Sequence, residues 1–213
     1  MHPAAAQRPF ALDSIVYDEQ SMRSKKVFIL LGHTDAETLS GALADRYAAA
    51  ATASGHEVRR QNIGDMHFDP ILHEGYKTIQ TLEPDLEDFR ENVRWADHIV
   101  IIYPTWWSSM PAMLKGLFDR AWLPHFAFLY ADHGLTWKKM LKGRTARIIT
   151  SANSSPWVLW FMYGPPTVVL EQCLLDFAGI RTSSLVLGPS ERASERRKAA
   201  WFKKVARLGS AAR

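Results

Sequence analysis

HIVIIYPTWWSSMPAMLKGLFDR, residues 98–120, contains the features that decide the fold of this chain. Its first part, HIVIIY (98–103), is a continuous apolar run, which is typical of a strand buried on both faces of a parallel sheet. Pro104 ends that run, and after Pro111 the apolar residues recur with helical spacing as far as Trp122. The segment therefore predicts a strand, a loop and a helix in direct succession.

The same alternation extends in both directions along the chain. Other short apolar segments predict strands, and the stretches between them show helical periodicity. Strands that alternate with helices imply right-handed crossovers and an α/β fold, namely a doubly wound, five-stranded parallel sheet in a three-layer sandwich. The other predicted strands cover residues 27–32, 56–63, 147–151 and 181–187, and the other predicted helices begin near Leu39, Leu86, Leu170 and Ser194.

Composition limits the class of protein. The chain has 213 residues, of which 47% are hydrophobic and 23% charged, and this excludes a disordered or collagen-like chain. No apolar run is long enough for a membrane-spanning helix, and no His/Cys group has zinc-ligand spacing, so we expect neither. The single cysteine, Cys173, lies on a helical stripe, where we expect a small buried side chain. A reducing cytoplasm is the expected setting.

Two terminal segments differ from the rest of the chain. Residues 1–24 show neither sustained periodicity nor a signal-peptide pattern, and Met22 is itself a possible natural start. We therefore expect an appendage followed by one domain over residues 25–213. Residues 191–213 carry eight basic and two acidic side chains, whereas the rest of the chain has a net charge of −2. This basic run is expected to be the solvated face of a closing helix, since no nucleic-acid-binding motif accompanies it.

The first candidate loop follows the first predicted strand. In a doubly wound sheet, ligands bind beyond the carboxyl ends of the strands, so the loops after the first, third and fourth strands form the candidate site. The first loop, GHTDAETLSGAL (32–43), lacks the glycine patterns of dinucleotide and nucleoside-triphosphate sites. It places His33, Thr38 and Ser40 around a helix start, where free backbone N–H groups and hydroxyls suit a phosphate. Ordinary capping of the helix is the alternative.

The second candidate loop carries two successive tryptophans. Trp106 and Trp107 follow directly after a strand end, where exposed rings are costly unless they cover something. Ring faces in a crevice suit a flat, electron-poor heterocycle, and the backbone N–H groups at 105–107 suit its polar edge. A core or dimer contact explains either ring alone, but the pair at this position favours a ligand.

Here the sequence resembles a known family. YPTWWSSMPAMLKGLFDRAWLPHFAF (103–128) is similar to the flavin-dependent NAD(P)H:quinone oxidoreductases, which have a flavodoxin-like fold. GHTDAETLSGAL (32–43) occupies the place of that family's first flavin-phosphate loop, and the similarity covers about residues 25–208. The resemblance implies a bound flavin, either FMN or FAD, with its phosphate at the first loop and its ring at the second. The cofactor-binding residues that it implies are His33, Thr38, Leu39, Ser40, Pro104, Thr105, Trp106 and Trp107.

The resemblance also implies a reaction and an assembly. In this family NAD(P)H reduces the flavin and leaves, and a quinone or similar aromatic acceptor then takes the electrons in the same pocket, which is a ping-pong mechanism. Relatives of this size are homodimers, and we expect the contact near Trp122, Phe126 and Phe128. Two other functions stay open. They are a non-catalytic regulatory partner, for example of a potassium efflux system, and a nitro- or azoreductase. The choices between FMN and FAD and between NADH and NADPH stay open as well.

The chain departs most from the family in the loop after the fourth strand, TSANSSPWVLWFMYGPP (150–166). Some relatives place a proton-donating Tyr and His here; neither can be matched, and Tyr163 is only a nearby catalytic candidate. The apolar side chains of this loop predict a lid that excludes water, with a dimer contact as the alternative. The family also has glycine where this chain has Ser108 and His125. The expected substrate pocket consists of Trp157, Trp160, His125 and Phe128.

Overall fold

Strands and helices alternate along the part of the chain that the computed structural model describes, residues 24–131 and 136–213. The strands are β1 (Lys26–Leu31), β2 (Glu57–Asn62), β3 (His98–Pro104), β4 (Phe128–Tyr130), β5 (Trp137–Lys139), β6 (Thr145–Ser151) and β7 (Arg181–Leu187). The helices are α1 (Leu39–Ala53), α2 (Pro84–Trp95), α3 (Ala112–Ala121), α4 (Pro156–Tyr163) and α5 (Glu195–Ser210), with a π helix over Val169–Asp176 and a 3₁₀ turn over Ile63–Asp65. The predicted appendage over 1–24 lies outside the described residues apart from Ser24.

Five of the strands form one parallel sheet in the order β2-β1-β3-β6-β7. The chain passes from β1 to β2 on one side and then crosses to β3 on the other side of β1. The strand order therefore reverses between β1 and β3, and this reversal opens a crevice at the carboxyl ends of these strands. The predicted doubly wound five-stranded parallel sheet is confirmed.

Burial on both faces of the sheet explains why the sequence of strand β1 is apolar from Val27 to Leu31. Successive side chains of a strand point to opposite faces, and both faces of this sheet are covered. Phe28 and Leu30 pack in the core formed with α2, α3 and the π helix, whereas Ile29 and Leu31 pack in the core formed with α1 and α5. All four side chains are fully buried. The three layers follow from this double burial.

Several local expectations were wrong. Trp122 and Phe126, expected at a dimer contact, are only 6% and 2% exposed because they pack into the core of their own chain, so they have almost no surface left for a partner. Cys173 is exposed rather than buried. The antiparallel pair β4–β5 and the helix α4 were not predicted, because each is too short to show a periodicity of its own.

A buried guanidinium holds the long connection between β2 and α2, residues 66–83. Arg120 of α3 is 1% exposed and donates to both carboxylate oxygens of Glu83, at 2.8 and 3.2 Å. It also donates to the carbonyl oxygens of Thr81, at 2.8 Å, and Asp69. Because these partners lie near both ends of the connection, a segment with little regular structure of its own is fixed onto α3.

Candidate functional site

The candidate site lies at the carboxyl ends of β1, β3 and β6, which we call the carboxyl edge. Gly32 follows β1 here and donates its N–H to the carbonyl oxygen of Ile102, at 2.8 Å. Thr105 follows β3 and donates its N–H to the carbonyl oxygen of Ser151, at 2.7 Å. These bonds extend the sheet past its last paired residues, so the loops that follow start from fixed positions.

The start of α1 offers unpaired donors at this edge. The Thr38 hydroxyl caps the helix by accepting the N–H of Gly41, at 3.4 Å. The N–H groups of Leu39 and Ser40, the two residues before Gly41, find no acceptor among the described residues. An anion is the natural partner for such groups, because the helix dipole adds to their positive charge. Capping by Thr38 and a phosphate site therefore coexist here.

His33 adds a donor to the same loop. Its Nδ1 accepts the N–H of Asp35, at 2.8 Å, so in the neutral ring the proton lies on Nε2. The Asp35 and Glu37 side chains are exposed, and so do not oppose an anion at the helix start. A Cβ on Gly41 would lie 1.8 Å from the Ala36 carbonyl oxygen, so the loop folds onto the helix more closely than any other residue would allow.

The two tryptophans stand in a strained turn after β3. Trp106 and Ser109 exchange both of their backbone hydrogen bonds, each at 2.9 Å. The two residues between them, Trp107 and Ser108, have φ values of 50° and 58°, a left-handed pair that closes a tight hairpin and normally favours glycine or asparagine. Trp107 is fully exposed and Trp106 is 46% exposed. A non-glycine residue in this conformation costs of order 1–3 kcal/mol, which is typical of functional sites.

Two cavities lie side by side at the carboxyl edge. The first has a volume of about 560 Å³, and the second about 490 Å³. Asn153, the second residue after β6, lines both cavities and so joins them. The predicted residues divide between the two. The first is lined by His33, Thr38, Leu39, Ser40, Pro104 and Trp106, and the second by Thr105, Trp107 and Tyr163.

The side chains between these cavities are held by hydrogen bonds. The hydroxyls of Thr105 and the buried Thr150 lie 2.8 Å apart. Asn153 donates to the carboxylate of Glu191, at 2.6 Å, and accepts from the hydroxyl of Ser190, at 2.7 Å. Sequence analysis missed this group of three residues. Ser190 and Glu191 follow β7, whose carboxyl end lies at the same edge, so the rule that selected the other loops would also have selected this one.

Helix α4 occupies the middle of the predicted lid loop, residues 150–166. Pro156 begins the helix, and Gly164, with φ of 78°, ends it. Leu159 and Tyr163 line the second cavity. Trp157 and Trp160, expected in the substrate pocket, lie on the exposed face of the helix, 71% and 64% exposed.

The two remaining residues of the expected substrate pocket lie after α3. His125 has φ of 66° and donates its N–H to the carbonyl oxygen of Phe128, at 2.8 Å. The Phe128 ring packs edge-on against Tyr130 and Phe177, with centroids 5.0 and 5.2 Å apart. Neither residue lines either cavity, so their place in a substrate pocket stays a prediction.

Within residues 24–131 and 136–213, no three His, Cys, Asp or Glu side chains are grouped so that they could hold a metal ion. No helix in the same residues is long and apolar enough to cross a membrane.

Comparison with known proteins gives consistent matches. The sequence pattern of a family described as having a flavodoxin-like fold matches residues 25–205. The ribosyldihydronicotinamide dehydrogenase [quinone] of Homo sapiens is 26% identical over 218 residues, covering 86% of this chain and 92% of that protein.

Solved structures show the same fold. An NAD(P)H:quinone oxidoreductase from Methanothermobacter marburgensis superposes with a TM-score of 0.74 at 24% identity, covering 88% of this chain and 98% of the other. An FMN-dependent NADH-azoreductase from Bacillus anthracis, in complex with FMN, gives a TM-score of 0.66 at 16% identity, covering 87% and 97%. At these identities the two structures establish a common fold.

Proposed function

This chain belongs to the family with the flavodoxin-like fold, and on that premise we propose that it is a flavin-dependent oxidoreductase which passes electrons from NAD(P)H to a quinone or a similar aromatic acceptor. One observation carries the proposal. The unpaired donors of the α1 start and the exposed tryptophan rings line two joined cavities at one edge of the sheet. That combination suits a ligand with an anionic end and a flat ring.

The residues present fit a flavin at its phosphate end. The Leu39 and Ser40 N–H groups and the Nε2–H of His33 would hold the phosphate in the first cavity. The Thr38 hydroxyl donates to the carbonyl oxygen of Asp35, at 3.2 Å, and would join them by turning this proton to the phosphate. Lys198 also lines this cavity, and its ammonium group adds positive charge, although Glu195 accepts from it at 3.0 Å. Phosphate binding of this kind uses fixed backbone groups, so little reorganisation is needed.

The residues present also fit the ring end. Pro104, Thr105, Trp106 and Trp107 would frame the isoalloxazine, with the two indoles as stacking surfaces. A bound flavin supplies the chemistry itself, since it accepts a hydride from a nicotinamide and passes the electrons on to an acceptor. The chain contributes position, because the Thr105–Thr150 hydroxyl pair and Asn153 fix the walls on either side of the ring.

The acceptor would lie between the ring and α4. Leu159 and Tyr163 line the second cavity from this helix. Trp157 and Trp160 lie on its exposed face, and they would exclude water from a flat hydrophobic acceptor once a second copy of the chain covers that face. Tyr163 lines the second cavity and is the candidate to donate a proton from its phenol, and His125 and Phe128 would close the pocket from outside the two cavities. Because donor and acceptor would use the same space, the two half-reactions would alternate in a ping-pong order.

A homodimer is part of the proposal, although its contact must differ from the predicted one. Trp157, Phe161 and Met162 present an apolar face that the chain itself leaves exposed, and exposed apolar faces of this kind mark interfaces. We place the dimer contact on this face of α4, next to the second cavity. The cytoplasm remains the proposed setting, since the lone cysteine suits a reducing compartment.

The test is the absorption spectrum of the purified protein, with mass identification of any released cofactor. A flavin spectrum is expected, together with repeated turnover of a quinone at the expense of NADH or NADPH. The mass decides between FMN and FAD, and comparison with nitro and azo compounds ranks the acceptors. Flavin binding without turnover would instead support the non-catalytic regulatory partner. Failure to take up either flavin would overturn both.

A further inference from the structure

The opposite edge of the sheet, where the strands begin, contains a cavity that the proposed function does not use. Its volume is about 510 Å³, and it lies among the first residues of β3, β6 and β7 and the ends of the described chain. Among the described residues that line it, four carry a cationic side chain and none a carboxylate side chain. We call it the amino-edge cavity, and its cationic residues are Lys25, Arg147, Arg181 and Arg213.

Arg147 is the first sign that this cavity binds a ligand. Its guanidinium group is half-buried, makes no hydrogen bond or ion pair with any described residue, and has a buried Nε without a partner. Burial lowers the pKa of Arg147, and the charges of Tyr47 and Glu171 only partly offset that effect. Glu171 forms no ion pair with it, since the Glu171 carboxylate accepts from Thr167. A guanidinium has five donors, and leaving them without acceptors away from bulk water is costly.

His98, on the neighbouring strand β3, is the second sign. The ring is 1% exposed, its Nδ1 lies 2.7 Å from the Thr145 hydroxyl, and its Nε2 has no partner among the described residues. Its pKa is lowered to about 3, first by burial and then by the positive charges of Lys25 and Arg147. Two cations of the cavity, Lys25 and Arg147, therefore act on the same buried ring, which is neutral and adds no positive charge to theirs.

Lys25, directly before β1, is held beside the cavity by two hydrogen bonds. Its ammonium group donates to the carbonyl oxygen of Ala212, at 3.1 Å, and its N–H donates to Nδ1 of His56, at 3.1 Å. These bonds hold the side chain beside the cavity and leave further ammonium protons to donate. A ligand would therefore order this lysine at little further entropic cost.

We propose that the amino-edge cavity binds a small phosphate-bearing anion, held by the guanidinium groups of Arg147 and Arg181 and the ammonium group of Lys25. Guanidinium forks match pairs of phosphate oxygens and form short, charge-assisted hydrogen bonds with them. The volume admits more than one phosphate group. The cations surround a cavity instead of forming a stripe along the surface, which suits a small molecule better than a nucleic-acid strand.

The experiment titrates the protein with inorganic pyrophosphate by calorimetry at constant ionic strength, in the presence of FMN. Saturable binding to a single class of sites is expected, and it should weaken at least about tenfold in Arg147→Gln. Lys198→Gln is the matched control. It removes the same charge from the cavity at the carboxyl edge, where the start of α1 also attracts anions, and it should leave pyrophosphate binding unchanged.

Two further variants keep the result interpretable. Arg181 is exposed, so Arg181→Gln cannot disturb the core and should also weaken binding several-fold. Arg196→Gln removes an exposed charge on α5 and should have no effect. The proposal is overturned if pyrophosphate does not saturate, if Lys198→Gln is the variant that loses binding, or if all four variants weaken it equally. A parallel titration with inorganic phosphate then shows whether one phosphate group suffices.

Discussion

The two edges of the central sheet meet solvent in different ways. At the carboxyl edge the connections 32–38, 105–111 and 188–194 carry unpaired donors, left-handed non-glycine residues and exposed rings. At the amino edge, connections such as 54–56 and 96–97 are short and their backbone groups are hydrogen-bonded, whereas the side chains of His98 and Arg147 keep nitrogens without partners among the described residues. The carboxyl edge is therefore built around backbone strain and exposed apolar surface, whereas the amino edge is built around positive charge.

The two edges therefore differ in what destabilises the folded chain when no ligand is bound. At the carboxyl edge, the strained turn persists because the reciprocal bonds between Trp106 and Ser109 fix it. At the amino edge, the cost is electrostatic, because cations lie close together around a buried neutral histidine. Substituting one or two residues at a time tests this contrast, and we expect four outcomes.

The largest effect is expected at the amino edge, from His98. Its pKa in the folded protein, about 3, lies below the ordinary value of 6.5. Between these values the unfolded chain takes up a proton that the folded chain refuses, so the free energy of unfolding falls as the pH decreases. Between pH 7 and pH 4, His98 should account for about 3 kcal/mol of that fall. Urea unfolding at both pH values measures it.

The variant His98→Asn should lack this part of the pH dependence. His67→Asn is the control, because the His67 side chain is 94% exposed and its removal should leave the fall unchanged. If His98→Asn and the unsubstituted protein lose equal stability on acidification, the histidine is not buried in its neutral form, and the contrast between the edges is weaker than stated.

The second effect concerns flavin affinity at the carboxyl edge. Replacing Trp106 and Trp107 by alanine removes both stacking surfaces, at about 1–2 kcal/mol each, so the flavin Kd should rise about 100-fold. The domain should stay folded, because Trp107 is fully exposed and Trp106 nearly half-exposed. Fluorescence titration with FMN and with FAD measures the change. Trp137→Ala, outside both cavities, is the control, and an unchanged Kd in the folded double variant would refute the ring site.

The third effect separates the two halves of the proposed reaction. Trimming Trp157 and Trp160 to alanine should lower quinone turnover several-fold and flavin reduction by NAD(P)H much less, because their helix covers the acceptor side. Stopped-flow absorbance follows each half-reaction separately, and light scattering follows assembly. Equal losses in both half-reactions, whether or not the dimer dissociates, would show that this face of α4 serves assembly and does not shape the acceptor site.

The smallest effect tests the strain itself. Ser108→Gly places glycine at a φ of 58° and should raise the free energy of unfolding by up to about 1 kcal/mol. Ser109→Gly, one residue later, is the matched control. Ser109 pairs with Trp106 in extended geometry and gains nothing from glycine, so it should be neutral or destabilising. Thermal unfolding of the two variants compares them directly. A Ser108→Gly variant less stable than Ser109→Gly would mean that the turn is not strained.

The sequence predicted this site unevenly, for physical reasons. Strands β1 and β3 were recognisable because burial on both faces leaves an unbroken apolar run, and their order along the chain placed the loops that follow them at one edge. The family that the sequence resembles has glycine at the positions of Ser108 and His125, and both residues have positive φ in this chain. These departures therefore marked positions where the backbone conformation favours glycine. Helix α4 was not predicted because it is short and its sequence, PWVLWFMY, has no polar face that would reveal a helical period.

The number of aromatic residues just after α3 was a misleading sign of a dimer contact. Trp122 looked like a surface side chain awaiting a partner, yet it packs against Phe118 and Phe126, with centroids 5.2 and 5.5 Å apart, and donates its indole N–H to Leu174. Sequence gives the number of aromatic residues near a helix, but whether the same chain covers them depends on distant segments. The π helix that covers Trp122 lies far along the chain, and its approach could not be read from local spacing.

The buried guanidinium of Arg120 also limits how this chain can change length. It holds the carbonyl oxygens of Asp69 and Thr81 and the carboxylate of Glu83, so an insertion beside any of these would withdraw an acceptor from a donor that has no access to water. Residues 74–79 are exposed and lie between these anchors. Related chains should therefore vary in length at 74–79, where the connection can grow outward while both of its ends keep their places on α3.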